Sequence, residues 1–243
     1  MGDNMIYFLT SNPRIDSGGL NLANKFVDNL QKHITNPMTI LYICSSPDSF
    51  EKNEKYSKIL IDDFKISGFE VSEYFVLDHR NVRDAAELVG KADVILLAGG
   101  HVPTQNDFFK EIQLHQLLKG YEGIVIGISA GSMNSADMVY VHPELEGEAI
   151  SKTFERFRVG LGITKLMLLP HYQDIKNDVL DGLRVFEDIA YPDSYGRIFY
   201  AIVDGSYVYG HDGIEELLGE AYTIQDGILT QFSKLNDCMR ISR

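Results

Sequence analysis

Cysteine is scarce in this chain: Cys44 and Cys238 are the two present in 243 residues. Two thiols so far apart do not make a disulfide framework. Cys44 lies in the apolar run Thr39-Ile40-Leu41-Tyr42-Ile43-Cys44, where a small buried core residue is expected. A reducing, cytoplasmic location fits this usage. Long hydrophobic runs are also lacking. No stretch approaches the about 18 apolar residues that suggest a membrane span. Residues 5–10 are too short, and lack the basic lead-in, for a secretory signal. Positive charge is in deficit: 22 Lys and Arg against 35 Asp and Glu give a formal net charge of −13. Such a surface repels phosphate backbones and anionic membranes, so neither nucleic acid nor a membrane is an expected partner. A cationic pocket inside a cleft remains compatible with it. There is no HExxH, no Cys/His cluster at ligand spacing, no Gly-x-Gly-x-x-Gly and no phosphate-binding Lys-Ser/Thr loop. No metal or cofactor is therefore expected.

What is present is ordinary for a folded protein, with 44% hydrophobic and 23% charged residues. A chain this long buries roughly three-quarters of its unfolded surface and needs no covalent staples. No linker, repeat or low-complexity stretch divides it, so residues 1–243 are expected to form a single domain.

Short apolar runs alternate with longer amphipathic segments. The pattern predicts strands over 6–10, 39–44, 70–76, 93–98 and 123–128. Helices are predicted over 21–33, 54–67, 82–89 and 108–118. This rhythm, with near-continuous apolar strands, argues for an α/β fold whose mostly parallel central sheet is covered on both faces. Beyond it, a strand over 167–170 and a helix over 179–189 are predicted. Further short strands over 198–203, 206–209, 221–224 and 227–232 are punctuated by Asp-Gly turns. These mixed or antiparallel strands are expected to extend the same sheet.

Gly127-Ile128-Ser129-Ala130-Gly131 matches the nucleophile-elbow pattern G-x-S-x-G, with an apolar strand before it and small residues opening a helix after it. A serine at such a turn sits in a strained backbone with its hydroxyl projecting from the sheet edge. The residues two positions to either side approach each other and must be small. The serine lies at a helix N-terminus, so the Ala130 N–H can donate to an oxyanion. Ala98-Gly99-Gly100-His101 ends the strand expected beside the elbow strand. An N–H of Gly99 or Gly100, unobstructed by a Cβ, would complete the oxyanion hole. His101 lies beside that hole as a candidate substrate contact.

A serine hydroxyl needs a general base. Of the seven histidines, His171 stands apart, because it follows the apolar run ending in Leu168-Leu169-Pro170, and parallel sheets carry catalytic groups at the carboxyl ends of strands. The base needs a carboxylate to fix its tautomer. Asp204, in Val203-Asp204-Gly205 after a strand, is the candidate, with Asp174 and Asp212 as rivals.

In this order, Leu97-Ala98-Gly99-Gly100, Gly127-Ile128-Ser129-Ala130-Gly131-Ser132, Leu169-Pro170-His171 and Ala201-Ile202-Val203-Asp204-Gly205 resemble the peptidase E family. This is the S51 family of serine peptidases, with its aspartyl dipeptidases and cyanophycinases. The resemblance implies the flavodoxin-like three-layer sandwich of class I glutamine amidotransferases. It also implies Ser129 as nucleophile, His171 as base, an acid at Asp204, and oxyanion donors at Ala130 and one of the glycine pair. The chain departs from the dipeptidase pattern at His101-Val102-Pro103, at Tyr172-Gln173-Asp174, and in carrying Asp rather than Glu at 204. If the substrate begins with aspartate, an arginine fork suits its carboxylate. Arg197 is the first candidate, ahead of Arg156 and Arg158.

The reading is therefore a serine-type peptidase acting on small peptides, including Asp-Xaa dipeptides, through an acyl-enzyme. An esterase or deacylase with the same triad, and a non-catalytic small-molecule-binding relative of the fold, are the alternatives. The expected partner is a small peptide; a homodimer is left open.

Overall fold

The computed structural model describes residues 5–241. Five strands build the parallel part of the main sheet: β1 (Ile6–Thr10), β2 (Met38–Ile43), β3 (Val71–Leu77), β4 (Val94–Leu97) and β5 (Ile124–Ile128). All are predominantly apolar, and the edge strand β3 is exposed over Ser72, Glu73 and Tyr74. Buried on both faces, the central ones read as continuous Val/Ile/Leu runs for that reason.

The connecting helices are α1 (Phe26–Gln31), α2 (Phe50–Ile66), α3 (Ala85–Lys91), α4 (Val102–Glu111) and α5 (Leu114–Leu117). The parallel strands lie side by side in the order β1, β5, β4, β2, β3. The chain runs outward to β3 and then turns back through β4 to β5. With right-handed crossovers, that reversal puts α1 and α2 on one face and α3 to α5 on the other. The carboxyl ends of β1, β5 and β4 are thereby brought together at one rim. The elbow helix α6 (Ala130–Asn134) starts there.

Beyond β5 come β6 (Met138–Tyr140), β7 (Phe157–Val159), β8 (Met167–Leu169), β9 (Val179–Leu180), β10 (Leu183–Arg184), β11 (Ile198–Ile202), β12 (Tyr207–His211), β13 (Ile214–Leu218), β14 (Ala221–Gln225), β15 (Ile228–Ser233) and β16 (Cys238–Ile241). Only β12, β13 and β16 extend the main sheet, all antiparallel. The strands β15, β14, β11 and β8 form a separate four-stranded sheet, so the expectation of one extended sheet is half met. Two apolar clusters follow from this division. One fills the main sheet, and the other joins Ala130 and Met133 of α6 to Tyr140, Leu169 and Phe199. Tyr140 and Phe199 stack with centroids 4.0 Å apart.

Three predicted helices differ. Over 21–33 the chain takes left-handed conformations at Asn24 (φ 55°) and Lys25 (φ 61°), and regular helix starts only at Phe26. Asn24 donates its side-chain amide to the Gly205 carbonyl, a bond that competes with helical geometry. Over 108–118, Gln113 (φ 53°) breaks the run, and α4 begins earlier, at Val102, with Pro103 in its first turn. Over 179–189, Asp181 and Gly182 both have positive φ and close a two-residue hairpin between β9 and β10. The Asp181 carboxylate is held by the N–H groups of Gly147 and Ala149, and a π-helical turn, Val185–Ala190, follows.

The elbow depends on two glycines. A Cβ on Gly131 would lie 2.2 Å from the Leu97 carbonyl oxygen, and one on Gly127 would lie 2.8 Å from the Ser132 Cα. Both contacts are with backbone, which cannot swing aside. Gly131→Ala is therefore expected to cost about 1–3 kcal/mol or more of stability by overpacking, read as a lowered urea midpoint; an unchanged midpoint would refute this account of the elbow.

Candidate active site

Ser129 sits at the strand-to-helix junction with φ 50° and ψ −111°, outside the ordinary wells for a residue with a Cβ. Such a conformation costs roughly 1–3 kcal/mol and persists only where surroundings over-determine it. Here the end of β1 does so. The Thr10 carbonyl accepts from the Ser129 N–H (3.0 Å) and from the Ser132 hydroxyl (2.7 Å). The Thr10 hydroxyl in turn donates to the Gly127 carbonyl at 2.8 Å.

Strand β4 ends beside the elbow. A Cβ on Gly99 would be 3.4 Å from the Ser129 Cβ, so the glycine pair borders the serine directly. Gly100 has φ 145°, and a Cβ there would lie 2.2 Å from the Ser45 hydroxyl oxygen. The Ser45 hydroxyl donates to the Gly99 carbonyl at 2.6 Å. In a planar trans peptide this fixes the Gly100 N–H in the opposite direction.

His171 and Asp204 come from the second sheet. Strands β8 and β11 are parallel neighbours with Leu169 opposite Ala201. The residues just beyond their carboxyl ends must therefore be close, and His171 Nδ1 lies 2.8 Å from Asp204 Oδ1. His171 itself has φ 58°. Asp174 is exposed, with its Oδ2 accepting from Gln173, and Asp212 pairs weakly with His211 at 3.3 Å. Neither takes the position that Asp204 holds against the imidazole.

Sequence reasoning missed the residues that hold this pair. Ser11, fully buried, accepts from the His171 N–H (2.8 Å) and donates to Asp204 Oδ1 (2.5 Å). The Asn12 amide reaches Asp204 Oδ2 at 3.4 Å, and the Asp204 N–H donates to the Gln173 side-chain oxygen at 3.1 Å. The one available signal was a polar Ser-Asn pair at the carboxyl end of a strand bordering the elbow strand.

Ser129 and His171 both open on two cavities. One, of about 360 Å³, is lined by Ser45, Gly99, Gly100 and, further out, Arg14 and Lys52. The other, of about 540 Å³, is lined by Gly100, His142, Glu144 and Asp178 among others. Both volumes are ordinary for small-ligand sites.

The model of peptidase family S51 matches residues 7–214. The chain belongs to peptidase family S51. Solved structures that share its fold include two described as peptidases. A peptidase from an acI-B1 Actinobacterium superposes with TM-score 0.68 at 17% identity, over 98% of this chain and 97% of that one. A protein from Listeria monocytogenes EGD-e described as peptidase E gives TM-score 0.57 at 16% identity, over 98% and 99%. No curated protein matches. Family membership makes this chain a peptidase, on a mixed α/β fold with a large, mostly parallel sheet.

The arginine candidates of this S51 chain lie elsewhere. The Arg197 guanidinium stacks over the Phe157 ring at 4.4 Å and donates to the Tyr195 carbonyl; Arg156 pairs with Asp193, and Arg158 with Asp107. None lines the cavities at Ser129; the cations that do are Arg14 and Lys52. His101 also lines neither. Its Nε2 lies 2.9 Å from Glu148, whose other oxygen accepts the N–H groups of Glu144 and Leu145. It braces the loop that carries Glu144.

Among the described residues, His171, Asp174 and Asp204 are the one group spaced to hold a metal ion. The Asp204 oxygens already accept from Ser11 and Asn12, and Oδ1 faces the His171 ring.

Burial works against a charged His171, but the hydrogen bond and charge of Asp204 outweigh it and raise the imidazole pKa above 6.5. Asp204 is held low by His171 and Ser11 against the opposing effect of burial. The His171 ring, followed by NMR, is therefore expected to titrate above 6.5, and Asp204→Asn should move that titration down, since the variant loses the charge favouring imidazolium. An unshifted titration in the variant would break the link between the two residues.

Proposed function

We infer that the chain is a serine peptidase that hydrolyses small peptides through an acyl-enzyme. The observation that carries this reading is the strained Ser129 elbow opening on the same cavities as a histidine oriented by a half-buried, hydrogen-bonded carboxylate. Ser129 Oγ attacks the scissile carbonyl carbon while His171 accepts its proton. The developing oxyanion is met by the Ala130 N–H and an N–H of Gly99 or Gly100. Collapse expels the amine, which takes its proton from His171, and the acyl group stays on Ser129. Water, deprotonated by His171, then releases the acid and restores the serine. Asp204 holds the ring in the tautomer that leaves Nε2 free for this shuttle.

The preference for Asp-Xaa dipeptides belongs to the same proposal. With Arg197 turned to Phe157, a substrate carboxylate would meet Lys52 and Arg14 instead. Lys52 makes no ion pair among the described residues, whereas Arg14 is bound to Asp63. Lys52 is thus the freer of the two charges.

The test is hydrolysis of an Asp-Xaa dipeptide panel by the native protein and by Ser129→Ala, with fluorophosphonate labelling in parallel. The expected result is cleavage that falls by about 10³-fold or more in the variant, with label on Ser129. Cleavage surviving in Ser129→Ala, or a native protein that neither cleaves nor takes the label, would overturn the reading.

A further inference from the structure

The glycine pair that ends β4 can turn its peptides either way, because neither residue carries a Cβ. An oxyanion donor needs one fixed direction, since the loss of such a donor costs about 10²–10³ in rate. The peptide plane must therefore be held from outside the pair.

The approach to the pair is held from two elements. The Ala98 N–H continues the ladder to β2, donating to the Ile43 carbonyl at 3.0 Å. The Ala98 carbonyl accepts from the side-chain amide of Gln105, a fully buried residue of α4, at 2.7 Å. The next peptide, between Gly99 and Gly100, is held among the described residues by the Ser45 hydroxyl, which donates to the Gly99 carbonyl at 2.6 Å. Ser45 is only 5% exposed, so solvent competes little for that bond. The loop is built around this hydroxyl. Gly100 has φ 145°, and a Cβ there would fall 2.2 Å from Ser45 Oγ, in the space the hydroxyl occupies.

Topology turns the bond into a direction. Strand β4 lies between β2 and β5. Ser45 follows β2 and Ser129 follows β5, so the two serines flank the glycine pair from opposite sides. The contacts agree: a Cβ on Gly99 would meet the Ser129 Cβ, whereas one on Gly100 would meet Ser45. A carbonyl drawn to Ser45 sends the N–H of the same planar peptide, that of Gly100, toward the Ser129 flank. That N–H has no acceptor among the described residues, and Gly100 lines both cavities on which Ser129 opens. The reversed peptide would present the Gly99 carbonyl to the developing oxyanion and repel it.

We propose that Ser45 is a positioning residue, whose hydroxyl locks the Gly99–Gly100 peptide so that the Gly100 N–H serves as the second oxyanion donor. It acts through that peptide and not on the reacting atoms. The proposal rests on the serine-nucleophile reading and names the group that prepares its transition-state contact. In Ser45→Ala the Gly99 carbonyl loses its donor, the reversed peptide is no longer disfavoured, and part of the population lacks one oxyanion contact.

The test compares native protein with Ser45→Ala in three measurements. The first is kcat and KM for Asp-Leu. The second is the rate of labelling by a fluorophosphonate, in which Ser129 Oγ displaces fluoride. The phosphoryl oxygen gains charge in that step and needs the same donors, whatever the peptide preference. The third is the calorimetric Kd of Asp-Leu for Ser129→Ala with and without Ser45→Ala, which reads binding before the chemistry. The expected result is a parallel fall in kcat and labelling rate, by about 10- to 100-fold, with KM and Kd little changed. Ser45→Cys, a near-isosteric but weaker donor, is expected to lie between native and Ser45→Ala, and it carries the comparison if Ser45→Ala does not fold. Unchanged kcat and labelling, or a loss accounted for by weaker binding or a smaller folded fraction, would overturn the positioning role and leave the peptidase reading intact. Ser45-dependent labelling in a protein that cleaves no peptide would keep the positioning role and sink the peptidase reading. A native protein that neither cleaves nor takes the label would sink both.

Discussion

Two adjacent residues at the end of the first strand hold both halves of the site. Thr10 clamps the elbow through its carbonyl and hydroxyl, and Ser11 clamps the His171–Asp204 pair through its hydroxyl. The first half belongs to the main sheet and the second to a separate one. Residues 10 and 11 therefore tie the elbow and the His171–Asp204 pair to one strand end. The bonds at Thr10 are buried and those at Ser11 half-buried, all between 2.5 and 2.8 Å, so a small displacement of β1 would be felt at both groups.

The same constraint explains where backbone strain is stored. Ser129 and His171 both carry positive φ without being glycine. Each is pinned from outside its own element, Ser129 by Thr10 and His171 by Ser11. Around them the chain removes side chains wherever the backbone must pass closely. Gly127 and Gly131 let the helix fold back onto the strand, and Gly100 lets Ser45 reach the Gly99 carbonyl. The Ala130 and Met133 side chains of the elbow helix pack into the second apolar cluster with Leu169, which precedes His171 by two residues. Packing and hydrogen bonding thus act on the same pair of groups from opposite sides.

Electrostatics divides the site as the hydrogen bonds organise it. Asp204 lies with His171 in a network that favours the charged form of each. Glu144 lies across the cavity, where burial and Glu148 disfavour its charge. Two carboxyls near one serine therefore behave differently because one is given donors and the other is not. His101 contributes to this contrast by occupying Glu148, which keeps the Glu144 loop in place.

The parallel strands, the elbow and the glycine pair were legible in the sequence because each rests on local physics. A strand buried on both faces must be an apolar run, and a tight strand-to-helix turn must have small residues at fixed spacing. His171 and Asp204 were legible as ends of apolar runs, and the S51 membership rested on those same motifs. The helix expected over 179–189 failed because its apolar spacing masked an Asp-Gly hairpin. The expectation of a single extended sheet was only half met because strand propensity does not name a strand's partner. Arg197 and His101 lie close in sequence to site residues, but their side chains turn to other partners, the Phe157 ring for one and Glu148 for the other. Ser11, Asn12 and Lys52 lie far from Ser129 in sequence and carry no motif. The pairing of β1 with β5 brings Ser11 and Asn12 to the serine, and that of β8 with β11 brings His171 and Asp204 together, because register between distant strands is decided by the packing of the whole sheet.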